Sequence, residues 1–240
     1  MKNTLLITAI AALFSGQAVA ESAFEGFYTQ IGTGYENNLA DLKNGTSTNG
    51  ARVLGLEQAK DMTNDGVALI LGAGYNFSIT PKFVLGIGGD WSAFNRTTNS
   101  STFNCVTGSC IRGDGSLRTG TIATETSDRY SVFITPSYVI DNEKLVYFKV
   151  GYTGQTVTAI DKRDGSNTYD ESAGKANLNG YVLGLGYKQV ITGGLYGFGE
   201  GNWYDYSKSS SHAAFSDGSQ LSGNIGGSSY TLTAGVGYKF

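Results

Sequence analysis

The sequence predicts an all-β fold, an eight-stranded antiparallel transmembrane β-barrel built as an up-and-down meander with both termini periplasmic. Three observations carry that expectation: strict two-residue alternation in the final stretch, eight long segments of the same kind, and connections that alternate short and long. Ser229 to Phe240 reads SYTLTAGVGYKF. Tyr230, Leu232, Ala234, Val236, Tyr238 and Phe240 fall on one face, with Ser229, Thr231, Thr233, Gly235, Gly237 and Lys239 on the other. Successive side chains of a strand point to opposite faces. An apolar face bracketed by aromatics opposite a small, polar face suits a barrel wall between lipid and lumen. A soluble antiparallel sandwich also alternates, so this stretch alone leaves both folds open.

The front of the chain sets the compartment. Lys2 followed by the apolar run Leu5 to Phe14 and the small residues Ala18-Val19-Ala20 reads as a cleaved secretory signal peptide over 1–20, with 21–240 as the barrel domain. Beyond it no run approaches the roughly 18 apolar residues of a membrane helix, and barrel strands hide their apolarity in alternation. Composition agrees: 35 Gly, 15 Tyr and 12 Phe stand against 2 Pro and 2 Met. A net charge of −3 with no basic stripe argues against nucleic acid as a partner.

Eight strand-like segments follow: Gly26–Glu36, Gly66–Phe77, Phe83–Phe94, Ser127–Ile140, Leu145–Val157, Leu178–Gln189, Leu195–Tyr206 and Ser228–Phe240. Each runs about 11 to 14 residues, longer than the usual 5 or 6 of a soluble strand. Ser78–Lys82, Asp141–Lys144 and Val190–Gly194 are tight turns rich in Pro, Asp, Asn or Gly. Asn37–Asp65, Asn95–Thr126, Thr158–Asn177 and Ser207–Gly227 are long and polar. Short turns on the periplasmic side and long loops outside are the pattern of outer-membrane barrels. Greek-key sandwiches do not impose it.

With these residues in view, the chain from about Phe24 to Phe240 resembles the eight-stranded outer-membrane β-barrel family of OmpA/OmpX-like and opacity-type surface proteins. The most specific motif is terminal: Thr233-x-Gly235-x-x-Tyr238-x-Phe240 matches that family's insertion signal. GFYTQIGTGY at Gly26–Tyr35 and EGNWYDYS at Glu200–Ser207 are weaker echoes. The resemblance implies an outer-membrane location in a Gram-negative bacterium, contact with outer-membrane lipid and lipopolysaccharide, and recognition of the last strand by the outer-membrane assembly machinery. It implies no single activity, because one fold hosts several.

Alternation assigns the charges. With Phe83, Leu85, Ile87 and Trp91 toward lipid, Asp90 turns inward; Tyr130, Val132, Ile134 and Tyr138 leave Arg129 inward. Val146, Phe148, Val150 and Tyr152 put Lys149 inside, and Tyr181, Leu183, Leu185 and Tyr187 do so for Lys188. Leu195–Tyr206 is irregular: turning Glu200 inward takes Tyr196 and Phe198 with it, and a β-bulge is the expected remedy. Inward Asp90, Arg129, Lys149 and Glu200 fit a paired network filling a narrow lumen. A polar pore in which those pairs open is the alternative.

Cys105 and Cys110 in FNCVTGSC are expected to form a disulfide in an exported protein. Zinc wants four ligands and is the weaker reading. No cofactor or metal is expected. A lipid-modifying enzyme would rest on His212 with Ser211, Ser216 or Asp217, in a Ser/Gly stretch that promises no rigid support. The expected role is therefore non-catalytic: structural, adhesive or antigen-like, through four long extracellular loops open to an extracellular surface ligand. Arg112 and Arg118 give the loop with the cysteines a means of engaging anionic surfaces. The same loops are also consistent with variable cover over a structural barrel.

Overall fold

The computed structural model describes residues 22–49, 52–58, 62–108, 110, 115, 119–161, 175–214 and 220–240. Among them are eleven strands: β1 (Gly26–Asn49), β2 (Arg52–Gln58), β3 (Met62–Thr80), β4 (Phe83–Ser92), β5 (Arg96–Thr97), β6 (Ser101–Gly108), β7 (Thr119–Asp141), β8 (Lys144–Asp161), β9 (Lys175–Thr192), β10 (Leu195–Ala214) and β11 (Gln220–Lys239). Going round the ring, β1, β3, β4, β7, β8, β9, β10 and β11 pair antiparallel in that order, and β11 returns to β1. The closing ladder runs from Tyr28↔Lys239 to Thr48↔Gln220, and the Phe240 N–H donates to the Phe27 carbonyl at 2.9 Å. Closure leaves this ring without the unpaired edge that an open sheet must protect.

The short connections are tight. Thr80 Oγ1 accepts from the Lys82 and Phe83 amides at 3.3 and 3.1 Å, closing the Pro81-Lys82 turn. Asp141 Oδ1 accepts from the Glu143 amide at 2.9 Å, and Lys144 Nζ donates to its other oxygen at 3.1 Å. These two donors hold the Asp141 carboxyl below its ordinary value, the Glu143 amide contributing most. Gly193 adopts φ 54°, a left-handed conformation that most side chains disfavour and glycine takes freely.

Much of the long connections expected as loop is strand. β1 continues to Asn49 and turns into β2; β2 pairs β6, and β6 pairs β7 at Ser101↔Ile122. At the loop end, then, β2 and β6 occupy the places that β3 and β4 hold nearer the turns. The expectation stopped the strands where apolar alternation stops. Polar Thr- and Ser-rich chain has no such signal, yet it keeps pairing once a neighbour is in register.

Outward side chains are the large apolar ones. Phe27 and Tyr35 on β1, Phe83 and Trp91 on β4, Tyr138 and Tyr130 on β7, and Tyr238 and Tyr230 on β11 form two exposed aromatic bands. Ile31, Ile87, Ile134, Leu232 and Val236 lie exposed between them.

The interior is packed at both ends by apolar clusters. Ala40, Met62, Val157, Leu178, Val182, Tyr204, Tyr206 and Ile225 pack together at the loop end. Phe24, Val84, Val139, Leu145 and Tyr147 pack together at the turn end.

Candidate functional site

Charged side chains occupy the middle of the lumen, between those clusters. Each stands there because its strand turns alternate residues inward: Val182, Gly184, Gly186 and Lys188 on β9, or Tyr147, Lys149 and Gly151 on β8. Lys149 Nζ lies 3.0 Å from Asp90 Oδ2 and 2.6 Å from Glu200 Oε1, with its side chain 1% exposed. Glu200 also accepts from the Tyr147 hydroxyl at 2.6 Å and from Asn202 Nδ2 at 2.8 Å. The Phe133 ring closes over the ammonium at 4.2 Å. One level nearer the loop end, Arg129 donates twice to Glu36, at 2.9 and 2.8 Å, and its guanidinium stacks on Tyr204 at 4.6 Å. Asn38 Nδ2 donates to Glu36 at 2.8 Å, and the Ser229 hydroxyl donates to Asn38 Oδ1. A bidentate Arg–carboxylate fork fixes geometry as well as charge.

The structure thus joins three of the four expected lumen charges, Asp90, Lys149 and Glu200, in one cluster. Arg129 sits apart with Glu36, a partner the sequence reading missed. Its signal was present: Gln30, Gly32, Gly34 and Glu36 share one face of β1.

The one register shift within Leu195–Tyr206 lies at its very start, against β9 between Leu195 and Tyr196, and it leaves the inward face of the strand unchanged from Tyr196 on. Tyr196, Phe198, Glu200, Asn202, Tyr204 and Tyr206 are all buried, in unbroken register with β11, whose shift lies beyond, between Tyr206 and Ser209. β10 carries aromatics inward because its neighbours make room. Gly32 and Gly235 face Phe198, and Gly237 faces Tyr196. The outward positions Gly197, Gly199 and Gly201 alternate with them.

Cys105 and Cys110 are joined by a disulfide, with Cα atoms 5.3 Å apart, and Cys105 pairs with Leu56 of β2. Arg112 and Arg118 lie outside the described residues, as do Ser216, Asp217 and residues 1–20, where a leader is expected. His212 is exposed on β10, opposite Ser222. In the terminal motif, Thr233 is buried in the lumen and Gly235 packs under Phe198; Tyr238 and Phe240 point outward, with ring centroids 5.1 Å apart.

The chain is similar in structure to the outer membrane protein OprG of Pseudomonas aeruginosa, with TM-score 0.52 and 12% identity over 92% of this chain and 99% of that one. The fold is that of an outer-membrane β-barrel. Weaker likenesses to this barrel are the outer membrane protease OmpT of Escherichia coli (TM-score 0.46, 12% identity, 93% and 99% of the two chains) and Neisserial surface protein A (0.39, 15%, 90% and 97%). No protein-family model and no curated protein matches the sequence.

Proposed function

We propose that this barrel is a non-catalytic surface protein of a Gram-negative outer membrane, with a structural, adhesive or antigen-like role carried on its loop end. In this reading the eight ring strands each cross the membrane once, the turns and both termini are periplasmic, and the disulfide lies outside the cell. The exposed aromatic bands support the crossing. Phe27 and Tyr35, like Phe83 and Trp91, are eight positions apart, or about 26 Å along a strand; at the usual tilt that is about 20 Å of height, which fits within the roughly 25 Å apolar band of such barrels.

The single observation that carries the surface role is the length of the wall. β1 has 24 residues, whereas a tilted strand needs only about 9–11 to cross. At about 3.3 Å per residue the excess rises well beyond the headgroups. There β2, β6 and the disulfide stiffen a platform for recognition, and binding residues concentrate on such rims.

A narrow pore is the second reading, favoured by the charges inside. Conductance of the refolded protein in planar bilayers separates the two. The packed lumen predicts steady conductance below about a tenth of that of an open porin. A stable ohmic conductance that shifts on neutralising Lys149 or Glu200 overturns the filled lumen and promotes the pore. On the surface-role reading, whole-cell adhesion falls when the tip beyond Cys105 is excised from a barrel that still assembles. A lipid-modifying role would require turnover that disappears in His212→Ala.

Recognition of the last strand by the assembly machinery is part of the same proposal. Deleting Phe240 removes an outward ring and the amide bonded to the Phe27 carbonyl. We expect insertion in cells to drop about tenfold, read as the heat-modifiable fraction, while refolding into detergent persists. Unchanged insertion at low expression counts against that role.

A further inference from the structure

The residues just before β1 do not trail away from the barrel. Ser22 to Glu25 form a tight turn, closed by the Glu25 amide on the Ser22 carbonyl at 2.9 Å, and it enters the turn-end mouth. Phe24 is 4% exposed there, against Val84, Val139, Leu145 and Tyr147. Few bonds tie the turn to the wall. Asn76 Nδ2 donates to the Phe24 carbonyl at 2.9 Å, and the Ser22 amide reaches Ser78 Oγ at 3.4 Å. Gly26 then turns the chain into the ring at φ 124°, a conformation that side chains rarely adopt.

Lys188 adjoins the Phe24 cluster through Leu145 and Tyr147. It lies opposite Leu145 in the β8–β9 ladder and is buried among three tyrosine rings: Tyr28 at 4.1 Å, Tyr196 at 5.0 Å and Tyr147 at 5.3 Å. Among the described residues no carboxylate lies within ion-pair distance of its ammonium. The charges facing it from deeper in the lumen are Glu200, already engaged by Lys149, Tyr147 and Asn202, and Lys149 itself. A buried charge ordinarily has a partner. Here ring faces and, at longer range, the net negative Asp90–Lys149–Glu200 cluster supply that stabilisation, and among the described residues no carboxylate touches the ammonium directly.

We infer that Ser22–Glu25 is an in-chain stopper and that the mouth it closes is a site for a small anion, a carboxylate or sulfonate, held by Lys188. When Phe24 leaves, the space it vacates is lined by Val84, Val139, Leu145 and Tyr147, and the Tyr147 ring adjoins the Lys188 ammonium. An anion entering there gains the direct ion pair with Lys188 that no carboxylate of the described residues makes. The site does not depend on which compartment the turns face. It therefore stands or falls separately from the surface role above.

The test uses the refolded barrel in detergent micelles, with its native disulfide intact and Leu145→Cys as reporter. The probes are two methanethiosulfonates of similar size, one carrying an anionic ethylsulfonate and the other a cationic trimethylammonium group. With Phe24 in place, the introduced thiol is expected to react with neither. With Phe24→Ala added, it should react, the anionic reagent about tenfold faster than the cationic one, as a cleft of one charge sign enriches its counter-ion. Adding Lys188→Met should abolish that preference. Asn76→Ala, which frees the Phe24 carbonyl and keeps the apolar pocket, gives an intermediate rate and serves if Phe24→Ala fails to refold. Reaction with Phe24 in place overturns the stopper, as does silence in a folded Phe24→Ala barrel. Equal rates for the two reagents, or a preference that survives Lys188→Met, overturn the anion site.

Discussion

Lys149→Met is expected to destabilise the barrel by about 3–5 kcal/mol, the usual cost of removing one partner of a buried ion pair. The change leaves Asp90 and Glu200 without the ammonium that lies within 3.0 Å of both. Glu200 keeps Tyr147 and Asn202 as donors, so Asp90 bears the larger loss. Neutralising all three residues together, as Lys149→Met/Asp90→Leu/Glu200→Gln, should recover most of the stability, because the desolvation cost of the charges disappears with them. Reversible urea unfolding in lipid vesicles measures both. The two tryptophans, Trp91 and Trp203, are exposed on the outer face, so their emission reports insertion without touching the lumen. A cost below about 1 kcal/mol for Lys149→Met would mean that water screens the cluster, as at exposed pairs. That outcome favours the pore.

How much of this was legible depends on which face of the strand carried the information. Lipid-facing residues were read correctly because lipid admits only apolar side chains. The runs Tyr130-x-Val132-x-Ile134 and Tyr181-x-Leu183-x-Leu185 therefore announce their face, and Arg129 and Lys188 follow by default. The lumen has no such rule. It accepts Phe198 beside Glu200, since what decides is whether Gly32 and Gly235 leave a hole opposite. That is a cross-strand fact, invisible along β10 alone, where the mixed character of Tyr196–Tyr206 reads as a broken register. Glu36 was missed for a related reason. It stands at the end of the apolar alternation of β1, although the strand itself continues to Asn49. The Ser22–Glu25 turn carries no periodicity at all, and only its position beneath Val84 and Leu145 gives Phe24 a role.

Glycine divides on the same line, and substitution exposes it. A Cβ on inward Gly186 would lie 2.2 Å from Tyr147 Cζ and 2.4 Å from its hydroxyl oxygen. That hydroxyl donates to Glu200, so Gly186→Ala must displace the ring and loosen the cluster around Lys149. Overpacking of this kind costs about 1–3 kcal/mol, and the lost hydrogen bond to a buried charge adds about 1.5–3 more. Outward Gly199 is the counterpart on β10. A Cβ there meets only the Thr233 carbonyl, at 4.0 Å. Gly199→Ala should therefore be neutral or stabilising by up to about 1 kcal/mol, through the smaller entropy of the unfolded chain. The same urea titration in vesicles measures the pair. Equal effects would show that inward glycines are not set by lumen crowding, and the packed interior would lose its steric basis. A large cost confined to Gly186 ties the small residues of β9 to the tyrosine that holds Glu200, and so ties wall composition to the filled lumen.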